Sequence, residues 1–438
     1  KYDATSGTTT ITSEGDGSDG SSNGFALDKH ASGTFAHNSG TVTVTTNTNT
    51  FFRGFEGTDT SGTGANAINN LIVNLTGASG YYLRLRPNSG TAHTILGDVT
   101  VTQGKLEKET NDHTLTINGD VSVGANGTLG HADKTGNDTF GSLTIESGGT
   151  AIATQGTTTI TSMTSTGSGD RSLNNKSGGT FTNNNGTVLF NGSSDQRIEM
   201  AGTGNVHNVT LNKSDNDFVW MSNSTFEGDF DITLETTHVA RPTGTANTLT
   251  VTGDVIVREG ILLRGQNDCT GAMSFGSLTI ESGGTYAATS GTTTFTDETS
   301  GGHALYAADG TFTHNNGKVK VDYNTGNKNA HTILVNSGDY YDLEIDMNSV
   351  AYEVKLDAPS PSKINIRNNL TITTGWVEKS DASDTLDVFG LTNISANGKF
   401  MEDANENTNT ITHHGLVTNL GTYKINDGTT VKMNGGIR

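Results

Sequence analysis

The chain has 438 residues, a net charge of −20, a single cysteine (Cys269) and only 31% hydrophobic residues. One cysteine excludes an intrachain disulfide framework, and the excess of acid argues against nucleic acid or an anionic membrane as partner. No apolar run reaches the ~18–20 residues of a spanning helix. The 57 glycines against 4 prolines, among abundant Thr, Ser and Asn, suit short strands joined by tight turns.

The first element in chain order is Gly7-Thr-Thr-Thr-Ile-Thr12, an alternating strand. The acidic loop Glu14-Gly-Asp-Gly-Ser-Asp-Gly20 follows directly. Its Gly15, Gly17 and Gly20 imitate a dinucleotide fingerprint, but no helix follows, so that reading is set aside. Glu14, Asp16 and Asp19 are hard oxygen donors on a flexible loop and make a weak calcium candidate; a solvated acidic turn is the simpler expectation. Next come Gly33-Thr-Phe-Ala-His-Asn-Ser-Gly-Thr-Val-Thr-Val44 and a run of aromatics, Phe51, Phe52, Phe55, Tyr81 and Tyr82.

From there the chain repeats itself. Gly97-Asp-Val-Thr-Val, Gly119-Asp-Val-Ser-Val and Gly141-Ser-Leu-Thr-Ile start 22 residues apart, and Gly228-Asp-Phe, Gly253-Asp-Val and Gly276-Ser-Leu start 25 and 23 apart. A longer period contains the shorter one. Gly141-Ser-Leu-Thr-Ile-Glu-Ser-Gly-Gly-Thr150 recurs letter for letter at 276–285, and the Gly33 phrase returns at 179–190 and 310–321. Alternating strands broken by Gly every 22–25 residues describe coils of a parallel β-solenoid. The expected fold is therefore an all-β parallel β-helix built of three large repeats of about 135 residues, each of about six coils. The divisions fall at 1–150, 151–285 and 286–422, with a partial unit at 423–438. Tandem β-sandwiches are the alternative, but they would not explain nested periods. Like residues stack in such a fold, so Val121 and Leu143 should lie in one inward aliphatic row.

Candidate functional residues lie where the repeat is interrupted. Phe51, Phe52, Phe55, Tyr81, Tyr82, Phe218, Trp220, Tyr340, Tyr341 and Tyr352 cluster in the middle of the repeats. Exposed, they would hold sugar rings or a partner protein; as filler of wider coils they would be core, which is the favoured expectation. Pro87 and the pair Pro359 and Pro361 mark long corner loops suited to contacts with a neighbouring chain. His413-His414 is no metal pair, because adjacent strand residues face opposite ways. Glu378, Asp381 and Asp384 are the nearest approach to the paired carboxylates of a polysaccharide-cleaving β-helix. Phosphate-loop, zinc-protease and serine-hydrolase motifs are absent, no second cysteine is present to pair with Cys269, and the sequons at Asn74, Asn208 and Asn369 follow from composition. A non-enzymatic protein without a cofactor is expected.

The phrase Gly276-Ser-Leu-Thr-Ile-Glu-Ser-Gly-Gly-Thr-Tyr-Ala-Ala-Thr-Ser-Gly-Thr-Thr-Thr-Phe295 and the ending Gly415–Gly436 resemble the repeats of long structural proteins of marine tailed phages. Gly179-Thr-Phe and the Asn-Asn-Leu at 69–71 are similar to phrases in bacterial surface adhesins. The resemblance implies a fibre or appendage on a virion, or a filament at the cell surface, and carries no functional residues. Lys1-Tyr-Asp-Ala-Thr-Ser and Thr422-Tyr-Lys-Ile-Asn-Asp both fall at the phase of Thr285-Tyr-Ala-Ala-Thr-Ser, so no leader is expected within the chain. Neither end carries a capping pattern, which predicts head-to-tail self-association, contacts with other virion or surface proteins, or further coils of a longer parent; surface glycans are a further candidate partner.

Overall fold

The computed structural model describes residues 2–13, 24–29, 33–55, 67–77, 80–87, 92–164, 170–264, 269–323, 330–358, 363–379, 384–401, 410–425 and 429–438. These contain strands, turns and bends and no helix. They divide into two compact units, Lys1–Trp220 and Met221–Arg438, each a parallel β-solenoid.

In the first unit a complete coil contributes up to three strand segments, and like segments of successive coils pair in parallel to build three ladders. The first ladder runs through Thr8–Ile11, Thr41–Val44, Asn70–Asn74, Val99–Lys108, Thr114–Leu129, Asp138–Ile145, Leu173–Asn175 and Gln196–Met200. Alternation puts every second side chain inward. One row is thus Val42, Leu71, Val99, Val121, Leu143, Leu173, Ile198 and Trp220, each in register with the next. All of these are buried. Val121 and Leu143 are neighbours, as the 22-residue spacing predicts. Each such side chain contributes about 1.5–3 kcal/mol by leaving water, and the stacking compensates for a low apolar content.

The other two ladders share the same long strands. One holds the inward row Leu83, Leu106, Leu129, Ala151 and Phe181. The other holds Ile95, Ile117, Phe140, Ile160, Phe190 and Leu211. The repeated phrase does not return to its own ladder. Thr8–Ile11 opens the first ladder, whereas its copy Thr157–Ile160 pairs with 138–140 on the third. The two copies are separated by five coils and two further strands, so the large repeat is not a whole number of coils.

The Gly-Asp phrase proves to be a corner device rather than a strand start alone. Asp98 N–H donates to Asn70 Oδ1 (2.8 Å), Asp120 N–H to Asp98 Oδ1 (2.9 Å), and Ser142 Oγ to Asp120 Oδ1 (2.7 Å). Asn70 and Asp98 therefore each cap a corner amide of the next coil, which would otherwise lie outside the sheet's own hydrogen bonds, while Asp120 accepts a hydroxyl instead. The serine ends the relay. In the second unit Asp229, Asp254 and Ser277 repeat it at 2.9 and 2.6 Å, and Asp342, Asn369 and Leu391 form another at 2.9 Å per step. The glycine of the Gly-Asp phrase is required by space: a Cβ on Gly119 would lie 2.3 Å from Asp98 Oδ1 and 2.5 Å from the Gly97 carbonyl carbon.

The phrase found at Gly33, Gly179 and Gly310 folds identically each time. Asn38-Ser39, Asn184-Asn185 and Asn315-Asn316 all take positive φ, between 46° and 61°. The following glycine N–H closes each turn on the carbonyl of His37, Asn183 or His314 at 2.8–3.0 Å. Two left-handed residues in a row favour Asn. Each first asparagine also donates from Nδ2 to the preceding coil, at Ala4, Ala153 and Ala288 (2.6–2.8 Å).

The second unit follows the same plan. Its inward rows include Leu343, Leu370 and Thr392, and its outward rows carry opposite charges one coil apart. Lys318–Glu344 (2.6 Å), Lys320–Asp346 (3.1 Å), Lys355–Glu378 (2.8 Å) and Lys363–Asp387 (2.7 Å) all join successive coils. Such pairs contribute little energy when exposed, yet they oppose register slippage, which would set like charges opposite one another.

The corner geometry predicts the ranking of two substitutions. Gly119→Ala should lower the denaturation free energy by about 2 kcal/mol or more, because backbone on the previous coil must move. Gly80→Ala, whose added Cβ meets nothing within 4 Å, should change it by less than about 0.5 kcal/mol. Chemical denaturation of the two variants checks the ranking.

Candidate functional site

The aromatics singled out from sequence do not form one exposed row. Phe51, Phe52, Phe55, Phe218, Trp220 and Tyr340 are buried, so their rings are core filling and present no platform to a sugar. Tyr81, Tyr82, Tyr341 and Tyr352 are half-buried. Tyr82 packs its ring under the Arg84 guanidinium (4.0 Å) and edge-on to Phe51 (6.2 Å); Tyr341 stacks on His314 (5.7 Å), and Tyr352 meets Tyr323 edge-on (6.5 Å). Glu14, Asp16 and Asp19 lie outside the described residues, as do Asp381, Pro359 and Pro361. Among the described residues no group of three or more His, Cys, Asp or Glu side chains is placed to hold a metal ion.

Glu378 is buried against Lys355, and Lys379 Nζ donates to the Asp384 carbonyl (2.8 Å). His413 points inward between Thr392 Oγ1 (2.7 Å) and Tyr423 OH (2.9 Å). Its neighbour His414 points outward, stacked at 4.6 Å on Phe389. Asn369 Oδ1 caps Leu391, so this sequon side chain serves a corner relay.

The structure adds a groove that the motif search did not find. In the first unit the chain leaves the third ladder after Thr157–Ile160 and rejoins the first at Leu173–Asn175. The neck of this excursion is tied by Thr164 N–H to the Arg171 carbonyl (3.0 Å) and by Arg171 N–H to Thr164 Oγ1 (3.2 Å). Beside the neck lies a groove of about 570 Å³. Its floor is the outward row Ser122, Thr144, Asn174 and Glu199, one residue per coil. Arg171 pairs with Glu199 (2.8 Å), and Lys176 with Glu146 (2.7 Å). Hydroxyl, amide and carboxylate groups thus recur at the coil spacing of ~4.8 Å, a surface suited to an elongated polar ligand.

A second cluster is internal. Lys108 occupies the inward row of Phe52 and Leu85, and Asp138 the inward row of His93, Leu115, Thr158 and Val188. They meet at 2.7 Å across a corner, with His93 and His113 rings 5.9 Å apart nearby. Burial pushes the Asp138 carboxyl up to about 6. Burial, reinforced by the adjacent His113, pushes His93 down to about 4. The sequence carries a signal for this cluster: Leu106-Glu-Lys108 recurs as Val377-Glu-Lys379, 271 residues on, with lysine where alternation asks for an apolar residue. A third buried lysine, Lys213, donates to the carbonyls of Gly192 and Ser194 and to Gln196 Oε1. Burial lowers its ammonium to about 8.

Compared with protein-family models, curated proteins and solved structures, the chain matches none.

The depressed histidines set a pH dependence. His93 and His413, both pushed down to about 4 by burial, stay neutral in the fold while the unfolded chain takes up protons near 6.5. Their contribution is complete above pH ~6.5 and is lost as pH falls towards 4. Asp138 acts oppositely, since its raised pKa favours the fold as pH falls through about 6. His413 acts in the second unit, whose denaturation midpoint should fall as pH drops from 6.5 to 4, whereas in the first unit His93 and Asp138 oppose one another. His413→Asn should flatten the dependence of the second unit, measured by denaturation at successive pH values.

Proposed function

We propose that the protein is a non-enzymatic structural and adhesive β-solenoid, displayed on a virion appendage or a cell-surface filament, with the groove by Arg171 contacting a host-surface glycan. One observation carries this reading: outward and corner positions of both units repeatedly tie one coil to the next. The Asn70–Asp98–Asp120–Ser142 relay, the three asparagine turns and the inter-coil ion pairs are cross-links along the stacking direction. A chain that invests its surface in this way gains resistance to fraying, the property required of an exposed fibre. The excess of negative charge keeps such a surface soluble. The resemblance of the Gly276 phrase to phage structural repeats supports the virion setting.

Polysaccharide cleavage is the second reading, favoured by the presence of Asp120, Glu146 and Glu199 along one groove. The two readings separate experimentally. Purified protein added to panels of whole bacterial cells and purified surface polysaccharides should bind a subset without releasing reducing ends. Arg171→Ala together with Asn174→Ala should weaken that binding about tenfold or more, with the fold unchanged by circular dichroism. Release of reducing ends that Glu146→Gln or Glu199→Gln abolishes would establish the enzyme instead. No binding to any cell or polysaccharide would leave a structural role without the adhesive one.

A further inference from the structure

The internal pair of the first unit offers chemistry that neither fibre nor adhesin requires. We propose that Lys108 and Asp138 condense into an intramolecular amide, a covalent staple between two successive coils. Four features of the site lead there.

The first is placement. Both residues stand in inward rows, Lys108 with Phe52 and Leu85 and Asp138 with His93, Leu115, Thr158 and Val188, and their side chains are only 3% and 9% exposed. Burying an ion pair in such a row is usually no more stabilising than burying two apolar residues, so a buried pair held this closely invites a role beyond stability. The second is geometry. Lys108 Nζ lies 2.7 Å from Asp138 Oδ1 and gives a further hydrogen to the Gly136 carbonyl at 2.8 Å, which holds the nitrogen beside the carboxyl group. Well-oriented intramolecular reactions reach effective molarities of ~10⁵–10⁸ M.

The third is the medium. In water an amine and a carboxylic acid are held apart from amide by the favourable hydration of their ions. Burial removes that hydration and disfavours the carboxylate, and the upward displacement of the Asp138 carboxyl has this cause. The fourth is space. Leu106, Leu115, Leu129, Phe140 and Phe181 enclose a small cavity beside the two groups, of about 20 Å³, enough for one water molecule.

The reaction balances without a co-reactant. A proton passes from the ammonium to the carboxylate, giving amine and acid. The nitrogen lone pair attacks the carboxyl carbon, the N–C bond forms, the C–OH bond breaks, and the hydroxyl leaves with a proton from nitrogen as water. Nothing is oxidised or reduced. The nearby Lys134 does not compete, since its Nζ donates to the Glu109 carbonyl (3.0 Å) and to Asn111 Oδ1 (3.4 Å).

The test is the intact mass of the purified chain under denaturing conditions. The expected mass is one water less than the sequence mass, with a single cross-linked peptide joining the segments around 108 and 138 after proteolysis. Lys108→Arg and Asp138→Ala should each restore the full sequence mass. Asp138→Asn should retain the cross-link but lose one ammonia from its own sequence mass, an outcome that adventitious dehydration does not give. Circular dichroism of each variant shows whether it has folded. Full sequence mass for the folded natural chain, unchanged after prolonged incubation at neutral pH, would overturn the proposal and leave a plain buried ion pair.

Discussion

The fold depends on a corner. A parallel coil can stack on the next only if the chain turns at the same place each time, and every turn takes backbone amides out of the sheet. Here a short acid or amide side chain from one coil accepts a hydrogen bond from the next coil: Asn70, Asp98 and Asp229 take a backbone amide, and Asp120 and Asp254 take a serine hydroxyl. Each link is modest, about 1 kcal/mol, but it fixes where the corner falls and hence the register of every row inside. The glycine before each acid follows from this arrangement, because the corners approach within distances that no Cβ tolerates.

Much of the architecture was legible in the sequence for that reason. A Gly-Asp phrase at fixed spacing identifies the corners, and alternation after it identifies inward residues, so the pairing of Val121 with Leu143 could be read directly. The three strands per coil could not, because Leu106, Leu129 and Ala151 sit on short or merged strands whose boundaries leave no gap in the pattern. The candidate sites were far less legible. Whether Phe51 or Tyr340 faces in or out depends on one position of phase within a loosely repeating stretch, and both proved to be interior. The groove by Arg171 depends on residues from several coils that are distant in the chain, and no motif brings Glu146 and Glu199 together in a linear reading.

The interior charges teach a different lesson. Lys108, Asp138 and Lys213 violate the rule that apolar residues fill inward positions, and local alternation alone would flag them as errors of phase. Their partners show otherwise: each lysine is satisfied by carbonyls or a carboxylate from a neighbouring coil. A stack supplies such partners readily, because every inward position has another coil within reach above and below. Buried polar groups are costly in proportion to how few partners they find, and a solenoid offers more than most folds.

The mismatch between repeat and coil bears on how such a chain can change in length. In the first unit the copies at Thr8–Ile11 and Thr157–Ile160 fall on different ladders. Duplicating or deleting one large repeat in a gene would therefore leave the coils correctly stacked while rotating everything downstream by about a third of a turn. Three such events would be needed to restore the original azimuth. Variation in the number of repeats is then a change of direction as well as of reach, and a surface feature such as the groove can be re-aimed without altering a residue in it.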